Sequence, residues 1–132
     1  MKIDFKDIVD IIKDSIKEGK DVTFSPMGNS MLPTIKEKDT VILTSPNDLK
    51  VFDIVLYFNN DQYLLHRIVK IHKDDTLDIA GDNNVYIEKN IPIKNVIAKV
   101  KSYNDIDIEN PAFYKQGKKI KRIRLKRKIF RY

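Results

Sequence analysis

A serine in a turn is the first residue of this sequence with the potential to do chemistry. Ser30 lies in the segment 28–33 (GNSMLP), where Gly28 permits an unusual backbone and Pro33 ends regular strand pairing. Such a turn can hold a hydroxyl at the mouth of a groove, where a neighbouring base would make it a nucleophile. The alternative is an ordinary β-turn with a solvated serine, which is the common situation for a lone serine.

A histidine and an acid follow in order, and they supply the other groups that serine hydrolases use. His66 lies inside the apolar run 64–69 (LLHRIV), and Asp82 lies in the turn 80–84 (AGDNN). A histidine can accept the serine proton near neutral pH because its reference pKa is about 6.5, and an acid can orient the histidine. Each residue also has a structural interpretation, His66 as a half-buried core residue and Asp82 as a local hydrogen-bonding group of its turn.

Four segments in this order resemble the signal peptidase I family: Ser-Met-x-Pro at 30–33, Asp-Ile-Val at 53–55, His-Arg-Ile at 66–68 and Gly-Asp-Asn-Asn at 81–84. The resemblance runs from about Val22 to Tyr103. It is greatest to the archaeal and endoplasmic-reticulum branch, which has histidine where the common bacterial enzymes have lysine. The resemblance implies a Ser30–His66 catalytic pair, acyl-enzyme chemistry and no cofactor or metal.

The sequence departs from the family pattern at an acid and at two glycines. The archaeal branch has an aspartate six residues after the position of Asp82, and this chain has Glu88 there. We therefore expect Asp82 or Glu88 to orient His66, with Asp82 favoured because it lies in the intact motif. Lys38 and Phe52 stand where the family usually has a glycine before an aspartate.

The resemblance also indicates which residues surround the serine. The Ser30 backbone N–H is expected to donate to the oxyanion of the tetrahedral intermediate, and Gly28 replaces a serine that donates in some bacterial relatives. The oxyanion hole is therefore expected to consist of backbone N–H groups, with the Asn29 side chain as a candidate second donor. Met31 and Leu64 are assigned to the substrate groove, although core packing is the favoured interpretation of Met31.

Two more side chains are given structural interpretations. Arg67, next to the candidate base, is expected to pair with a carboxylate of the body. His72 lies beside a predicted hairpin, and we expect it to be exposed and without a role. Histidines in these two positions do not predict a metal site.

The composition predicts a single domain without a membrane-spanning helix. The chain has 132 residues, of which 42% are hydrophobic and 33% charged. No window reaches the roughly 18 consecutive apolar residues of a transmembrane helix, and acids interrupt the apolar runs of the N-terminus, so no signal peptide is expected. The absence of cysteine excludes disulfides, thiol catalysis and cysteine-ligated metals. We expect a soluble or peripherally membrane-associated protein.

The net charge of +6 belongs to the C-terminal tail. Residues 115–131 hold ten Lys or Arg and no acid, which leaves 15 basic against 19 acidic residues elsewhere. We expect a linker over 104–111 and then a basic helix in which Ile120, Ile123, Ile129 and Phe130 stand among the charges. A solvated, partly disordered tail is one interpretation, and contact with an anionic membrane surface is the other. A nucleic acid would attract the same charges and is the less favoured partner.

Short strands between two helices must position the candidate site. Apolar residues at helical spacing predict an amphipathic helix over 3–18, which docks on the body or, alternatively, lies on a membrane. Turn residues separate strands predicted over 22–24, 40–44, 53–58, 62–71, 77–80 and 96–100. The predicted fold is mainly β, a small antiparallel, partly closed sheet or barrel. Its domains are the helix at 1–20, the catalytic sheet at 21–104, and the linker with the basic helix or tail at 105–132.

Three functions stay open at this level. The first is a serine endopeptidase that cleaves a signal or leader peptide bound as an added strand, with small residues at the first and third positions before the cut, as the resemblance implies. The second is a LexA-type self-cleaving regulator, which shares the Ser-Met-x-Pro turn. About twenty residues before the sheet are expected to be too few for its DNA-binding module, and its base is lysine. The third is an inactive peptide-binding module, which the intact Ser30 and His66 disfavour.

Overall fold

The computed structural model describes the backbone of residues 5–130 and the side chains of residues 6–130. Its elements in chain order are α1 (Phe5–Lys17), β1 (Val22–Phe24), β2 (Val41–Thr44), β3 (Ile54–Asn59), β4 (Gln62–Ile71), β5 (Thr76–Ala80), β6 (Glu88–Pro92), β7 (Val96–Tyr103), β8 (Ile106–Asp107) and α2 (Pro111–Phe130). A single 3-10 turn, Ile93–Asn95, precedes β7. Residues 3 and 4 of the predicted N-terminal helix and residue 131 of the predicted tail lie outside the described residues.

The strands form one antiparallel sheet, which confirms the predicted fold class. Their order is β1-β2-β7-β3-β4-β5-β6, and β8 pairs with β7. Neighbouring strands are antiparallel throughout. The sheet is not closed into a barrel, since within residues 5–130 its two outer strands, β1 and β6, do not pair with each other.

The six predicted strands are present with ends that differ by a few residues, and two further strands were missed. The missed strand β6 reads Glu-Lys-Asn-Ile-Pro, and of its residues only Ile91 is buried. A strand at the edge of a sheet needs little apolar alternation, so its sequence resembles a loop. The missed strand β8 contains two residues and lies inside the segment predicted as a linker.

Alternation along the central strands separates two buried clusters. The larger cluster lies on the face of Ile54, Leu56 and Leu65, and it includes Ile12 from α1 and Phe113 from α2. The smaller cluster lies on the opposite face and contains Val55, Tyr57, Ile68, Leu77, Ile79, Ile91 and Val96. Successive side chains of a strand point to opposite faces, which places His66 on the face of the smaller cluster.

The C-terminal helix packs on the body through one stripe of residues. Its buried positions are Phe113, Gly117, Ile120 and Arg124, at spacings of four, three and four residues, which is one face of a helix. The basic segment is therefore a docked helix over its described length, and the interpretation as a partly disordered tail does not hold for residues 111–130.

Gly117 of this helix lies directly against Phe52. A Cβ atom added to Gly117 would lie 2.6 Å from Phe52 Cγ and 2.7 Å from Phe52 Cβ, far closer than packed atoms approach. Phe52 has a φ of 77° and Lys38 a φ of 71°, so both departures from the family's glycines keep the left-handed backbone. That conformation costs a residue with a side chain roughly 1–2 kcal/mol. At Phe52 the contact with α2 offsets this cost.

We predict that Gly117→Ala destabilises the protein by about 1–2 kcal/mol. An added methyl group that clashes with a packed side chain such as Phe52 typically costs about 1–3 kcal/mol of the free energy of unfolding. The better helix propensity of alanine recovers about 1 kcal/mol of that cost at most. Urea unfolding of Gly117→Ala, with the exposed Lys118→Ala as control, measures the difference. Adding Phe52→Gly, which also removes the Cβ atom, should relieve the clash, so a Gly117→Ala cost that is unchanged in the Phe52→Gly background would contradict this packing.

Candidate active site

A compact turn after β1 presents the candidate nucleophile. The carbonyl of Met31 accepts hydrogen bonds from the N–H groups of Thr34 and Ile35, both at 2.9 Å, which closes the chain into a turn directly after Ser30. The Met31 side chain is buried in the larger cluster and anchors this turn, as the packing interpretation predicted. Ser30 itself is half-buried at the edge of the turn.

The turn at 81–84 is bonded to the serine turn along its length. Asn83 N–H donates to the Ser30 carbonyl at 2.9 Å, and the Asn83 side chain donates to the Asn29 carbonyl at 3.1 Å. Asp82 N–H points at the Met31 sulfur at 3.4 Å. The second motif therefore fixes the position of the first.

Gly81 stands between the serine turn and the histidine. A Cβ atom at this position would lie 2.6 Å from the Ser30 carbonyl oxygen and 3.0 Å from His66 Cδ2. Only glycine leaves room for both neighbours to approach so closely. The Cδ2 atom of the imidazole therefore lies beside Gly81, next to the Ser30 carbonyl.

Ser30 and His66 line one cavity of about 410 Å³. Met31 and Leu64, which the sequence assigned to the groove, line it too. Other apolar side chains of its wall come from α1, the β1 region, β3 and β4: Ile8, Phe24, Met27, Leu56, Tyr63 and Leu65. Among the described residues no hydrogen bond joins the Ser30 hydroxyl to His66, and this contact is often long in serine hydrolases without substrate.

The other side of the imidazole is held by a tyrosine and a glutamate. His66 Nδ1 lies 2.8 Å from the Tyr57 hydroxyl and 3.3 Å from Glu88 Oε1. Tyr57 donates its own proton to Glu88 at 2.6 Å, so the His66 Nδ1–H must be the donor of the first contact. Asn59 Nδ2 donates to the second Glu88 oxygen. This network leaves His66 Nε2 unprotonated, as a general base requires.

Burial and the carboxylate act on His66 in opposite directions. Desolvation in the protein interior lowers the pKa of His66, and the neighbouring Glu88 charge opposes that change without cancelling it. Burial, followed by the hydrogen bond to Glu88, raises the pKa of Tyr57 above its ordinary value. Near neutral pH His66 is therefore a neutral base and Tyr57 remains a protonated donor.

Asp82 is bonded away from His66. Its carboxylate is buried and accepts two hydrogen bonds from Arg67, from Nε and Nη2, each at 2.9 Å. Thr34 Oγ1 donates to the same carboxylate. The predicted pairing of Arg67 with a carboxylate is present. In this geometry Glu88 contacts His66, while Asp82 holds the 81–84 turn on β4, which reverses the preference that the sequence suggested.

Two of the weaker expectations have different outcomes in the structure. Gly28 has a φ of 95° and its N–H donates to Glu37 at 3.0 Å, so this N–H is committed to the turn rather than to an oxyanion. The prediction that His72 is exposed was wrong, because His72 is half-buried and lies 2.9 Å from Asp78. A charged neighbour inside the adjacent strand β5 explains that burial.

Sequence reasoning missed Tyr57, although the strand register contains a signal for it. Val55 pairs with His66 across β3 and β4, and Tyr57 pairs with Leu64. Tyr57 and His66 are therefore diagonal neighbours on one face, where long side chains reach each other. Asn59, Thr34 and Arg124 were also missed, and each acts through a contact between elements that are distant in the sequence.

Within residues 5–130, no group of three or more His, Cys, Asp or Glu side chains is placed to hold a metal ion. The helices in that part of the chain are too short or too polar to cross a membrane.

The antiparallel sheet thus brings the serine turn and the buried His66 to one cavity. The sequence profile described as Peptidase S24-like matches residues 2–101, and the chain belongs to this family. This assignment supports the LexA and signal peptidase superfamily that the motifs indicated. Helix α2 lies after the matched residues. A comparison with curated protein sequences gave no match.

We predict that the two acids differ in what they support. Glu88→Gln should keep the fold, because the amide oxygen can still accept from Tyr57, but it should slow labelling of Ser30 by a fluorophosphonate. Glu88 raises the pKa of His66, so its removal should move the acidic limb of the labelling rate to lower pH. A pH series of labelling rates measures both effects.

Asp82→Asn should instead lose stability. An uncompensated charge on the buried Arg67 typically costs about 3–5 kcal/mol, and one remaining oxygen acceptor on asparagine recovers part of that. Urea unfolding of both variants provides the comparison. A stable but unreactive Asp82→Asn protein, beside a Glu88→Gln protein with the wild-type rate and pH profile, would return the orienting role to Asp82.

Proposed function

We propose that this protein is a serine endopeptidase of signal-peptidase type that removes a signal or leader peptide from a precursor. One observation carries the proposal: His66 is held at Nδ1 by Tyr57 and Glu88, its Cδ2 lies beside Gly81 next to the Ser30 carbonyl, and it lines the same cavity as Ser30. A histidine that served only to fill the core would not need a partly buried carboxylate at its Nδ1, whose desolvation has a cost. The membership in a peptidase family agrees with this assignment.

In the proposed reaction Ser30 Oγ attacks the scissile carbonyl carbon while His66 Nε2 takes the serine proton. Glu88 stabilises the imidazolium that forms, both directly and through the Tyr57 hydroxyl. The carbonyl oxygen becomes an oxyanion, for which the Ser30 N–H is the proposed donor. His66 then returns its proton to the leaving amine, and a water molecule hydrolyses the acyl-enzyme by the same base.

The substrate is proposed to bind as an extended strand. The pairing of β4 with β3 begins at Gln62, whereas its pairing with β5 begins only at Arg67. Within the described sheet, the edge of Leu64 and Leu65 that faces away from β3 is not paired with another strand, and both residues line the cavity. A peptide along that edge would gain main-chain hydrogen bonds and place its side chains in the apolar cavity. An apolar lining suits uncharged side chains next to the cut, and the family resemblance implies that these are small.

The second candidate, a LexA-type self-cleaving regulator, has the same chemistry and a different substrate. The S24-like assignment keeps it open. Helix α1 supports the endopeptidase instead, because it is docked with Val9 and Ile12 buried and Ile8 in the cavity wall, rather than presented to the catalytic residues as a substrate.

We predict that Ser30→Ala and His66→Ala each lower peptide cleavage by about a thousandfold or more while the fold persists. The assay uses leader-type peptides with small residues at the first and third positions before the cut, and circular dichroism monitors the fold. Ser25→Ala, which removes a hydroxyl from the same cavity, and His72→Ala are the matched controls. Wild-type cleavage by a folded Ser30→Ala protein would refute the assignment.

Mass spectrometry of the chain incubated alone separates the two candidates, since a self-cleaving regulator releases its own fragment at a concentration-independent rate.

We also propose that the outward face of α2 binds an anionic membrane surface. Lys118, Arg122, Leu125 and Ile129 are exposed and follow one another at spacings of four, three and four residues, opposite the buried stripe. Leu125 and Ile129 are 55% and 62% exposed. A face that carries both cations and exposed apolar side chains fits a lipid surface better than a nucleic acid, because the apolar groups can insert shallowly.

For this face we predict that the full chain binds vesicles that contain anionic lipid and that Lys118→Glu/Arg122→Glu weakens binding at least tenfold. Each basic residue near such a surface contributes roughly 1 kcal/mol before screening. Lys70→Glu/Lys73→Glu makes the same charge change at exposed positions on the sheet and serves as the control. Co-sedimentation at two salt concentrations measures binding. Equal binding by both variants would refute the proposal, and so would a lack of wild-type binding at low salt alongside salt-sensitive binding of a nucleic acid.

A further inference from the structure

Helix α2 buries an arginine within its apolar docking stripe. Arg124 is 7% exposed, and its guanidinium donates from Nε to the Asn84 carbonyl at 3.0 Å and from Nη2 to the Gly81 carbonyl at 3.1 Å. Arg127, one turn later, donates to the Asn83 carbonyl at 3.3 Å. The C-terminal half of the helix therefore holds the backbone of the 81–84 turn from outside.

That turn is the element which joins the two halves of the candidate site. The Asn83 N–H of this turn donates to the Ser30 carbonyl. Gly81 packs between that carbonyl and the His66 ring so closely that even a Cβ atom would not fit. A small displacement of the turn would therefore move the serine relative to the imidazole. A displacement of about 1 Å between two reacting groups can lower the rate on the order of a hundredfold.

Docking alone does not explain an arginine at this position. Burying a guanidinium carries a desolvation cost of several kcal/mol, whereas a leucine in the same stripe would gain free energy from burial. The cost is offset here by hydrogen bonds from a charged donor to carbonyl oxygens that would otherwise lose water. These carbonyls belong to the turn that carries Gly81 and Asp82, so the arginine acts on the turn more than on the helix.

A second contact from the same helix reaches the site from another direction. Gln116 Nε2 donates to Thr34 Oγ1 at 3.0 Å, and Thr34 in turn donates to Asp82. Helix α2 thus touches both the serine turn and the 81–84 turn. Both contacts come from residues beyond position 101, where the family match ends.

We propose that α2 is part of the catalytic apparatus, and that Arg124 is the positioning residue that holds the 81–84 turn, and through it Ser30, in line with His66. The proposal rests on the proposed function of Ser30 as the nucleophile. It assigns the basic helix a role within the site in addition to any role of its outward face.

The test compares the rates at which a fluorophosphonate labels Ser30 in Arg124→Met, Arg124→Lys and the exposed control Lys121→Met. Arg124→Met should lower the rate roughly 10–100-fold, Arg124→Lys should lower it less because one donor remains, and Lys121→Met should leave it unchanged. Thermal melting and circular dichroism confirm the fold. If Arg124→Met lowers the rate without lowering the melting temperature in proportion, and lysine at position 124 restores part of the rate, Arg124 acts by positioning and not through stability alone.

The pH profile provides a readout that stability alone would not change. The charged groups that act on His66 are Glu88 and Asp82, which raise its pKa, and Arg124, which lowers it. Arg124→Met should therefore move the acidic limb of labelling to higher pH, and Arg124→Lys should keep it in place. If Arg124→Met does not fold, Arg124→Lys decides. A folded lysine variant with the wild-type rate would overturn the inference.

The two proposals fail in different ways. If the wild-type chain is not labelled at Ser30, or Ser30→Ala is labelled equally, the proposed function fails and the inference falls with it. If the wild-type chain is labelled and the Arg124 variants react at the same rate and with the same pH profile, only the positioning role is refuted.

Discussion

The buried ion pair between Arg67 and Asp82 is the interaction on which the rest of the site depends. Both side chains are almost fully buried, so neither charge can be left alone without a penalty of several kcal/mol. Further hydrogen bonds offset this desolvation penalty. Arg67 Nη1 also donates to the Phe52 carbonyl, and the Thr34 hydroxyl donates to the Asp82 carboxylate. A buried pair of this kind fixes geometry more than it adds stability. Here it ties β4, which carries the candidate base, to the turn that holds the candidate nucleophile.

This constraint explains why two carboxylates near one histidine have different roles. Asp82 has a short side chain in a turn, and its oxygens are occupied by the guanidinium fork of Arg67. Glu88 has one more methylene and starts from the edge strand β6, from which it reaches Tyr57 and His66 Nδ1. The longer side chain therefore compensates for the position of its strand. The replacement of the family's aspartate by Glu88 therefore has a geometric explanation: the longer side chain reaches the imidazole from the edge strand.

Much of the fold could be predicted from the sequence because clear turn residues separate its apolar runs, and the face of His66 followed from the two-residue period of β4. The candidate nucleophile and base could be named because their types and order restrict the chemistry. The role of each acid could not, since Asp82 and Glu88 lie six residues apart and only the β5–β6 register decides which one reaches the imidazole. The edge strand β6 was missed for a related reason, because a strand such as Glu88–Pro92, with a single buried residue, carries almost no periodic signal.

The C-terminal helix shows most clearly how composition can mislead. Ten positive charges in residues 115–131 suggested a tail defined by its charge. Yet the buried stripe of α2 also contains Gly117, which only close packing explains, and Arg124, which only a local set of carbonyl acceptors explains. The two faces of the helix therefore obey different constraints: the outward face is free to carry cations because water solvates them, whereas the inward face accepts a cation only where the 81–84 turn offers oxygen atoms to it. The charge count of a segment therefore describes only its solvent-facing side. A single charge within the apolar stripe, such as Arg124, indicates instead which neighbouring element the helix binds.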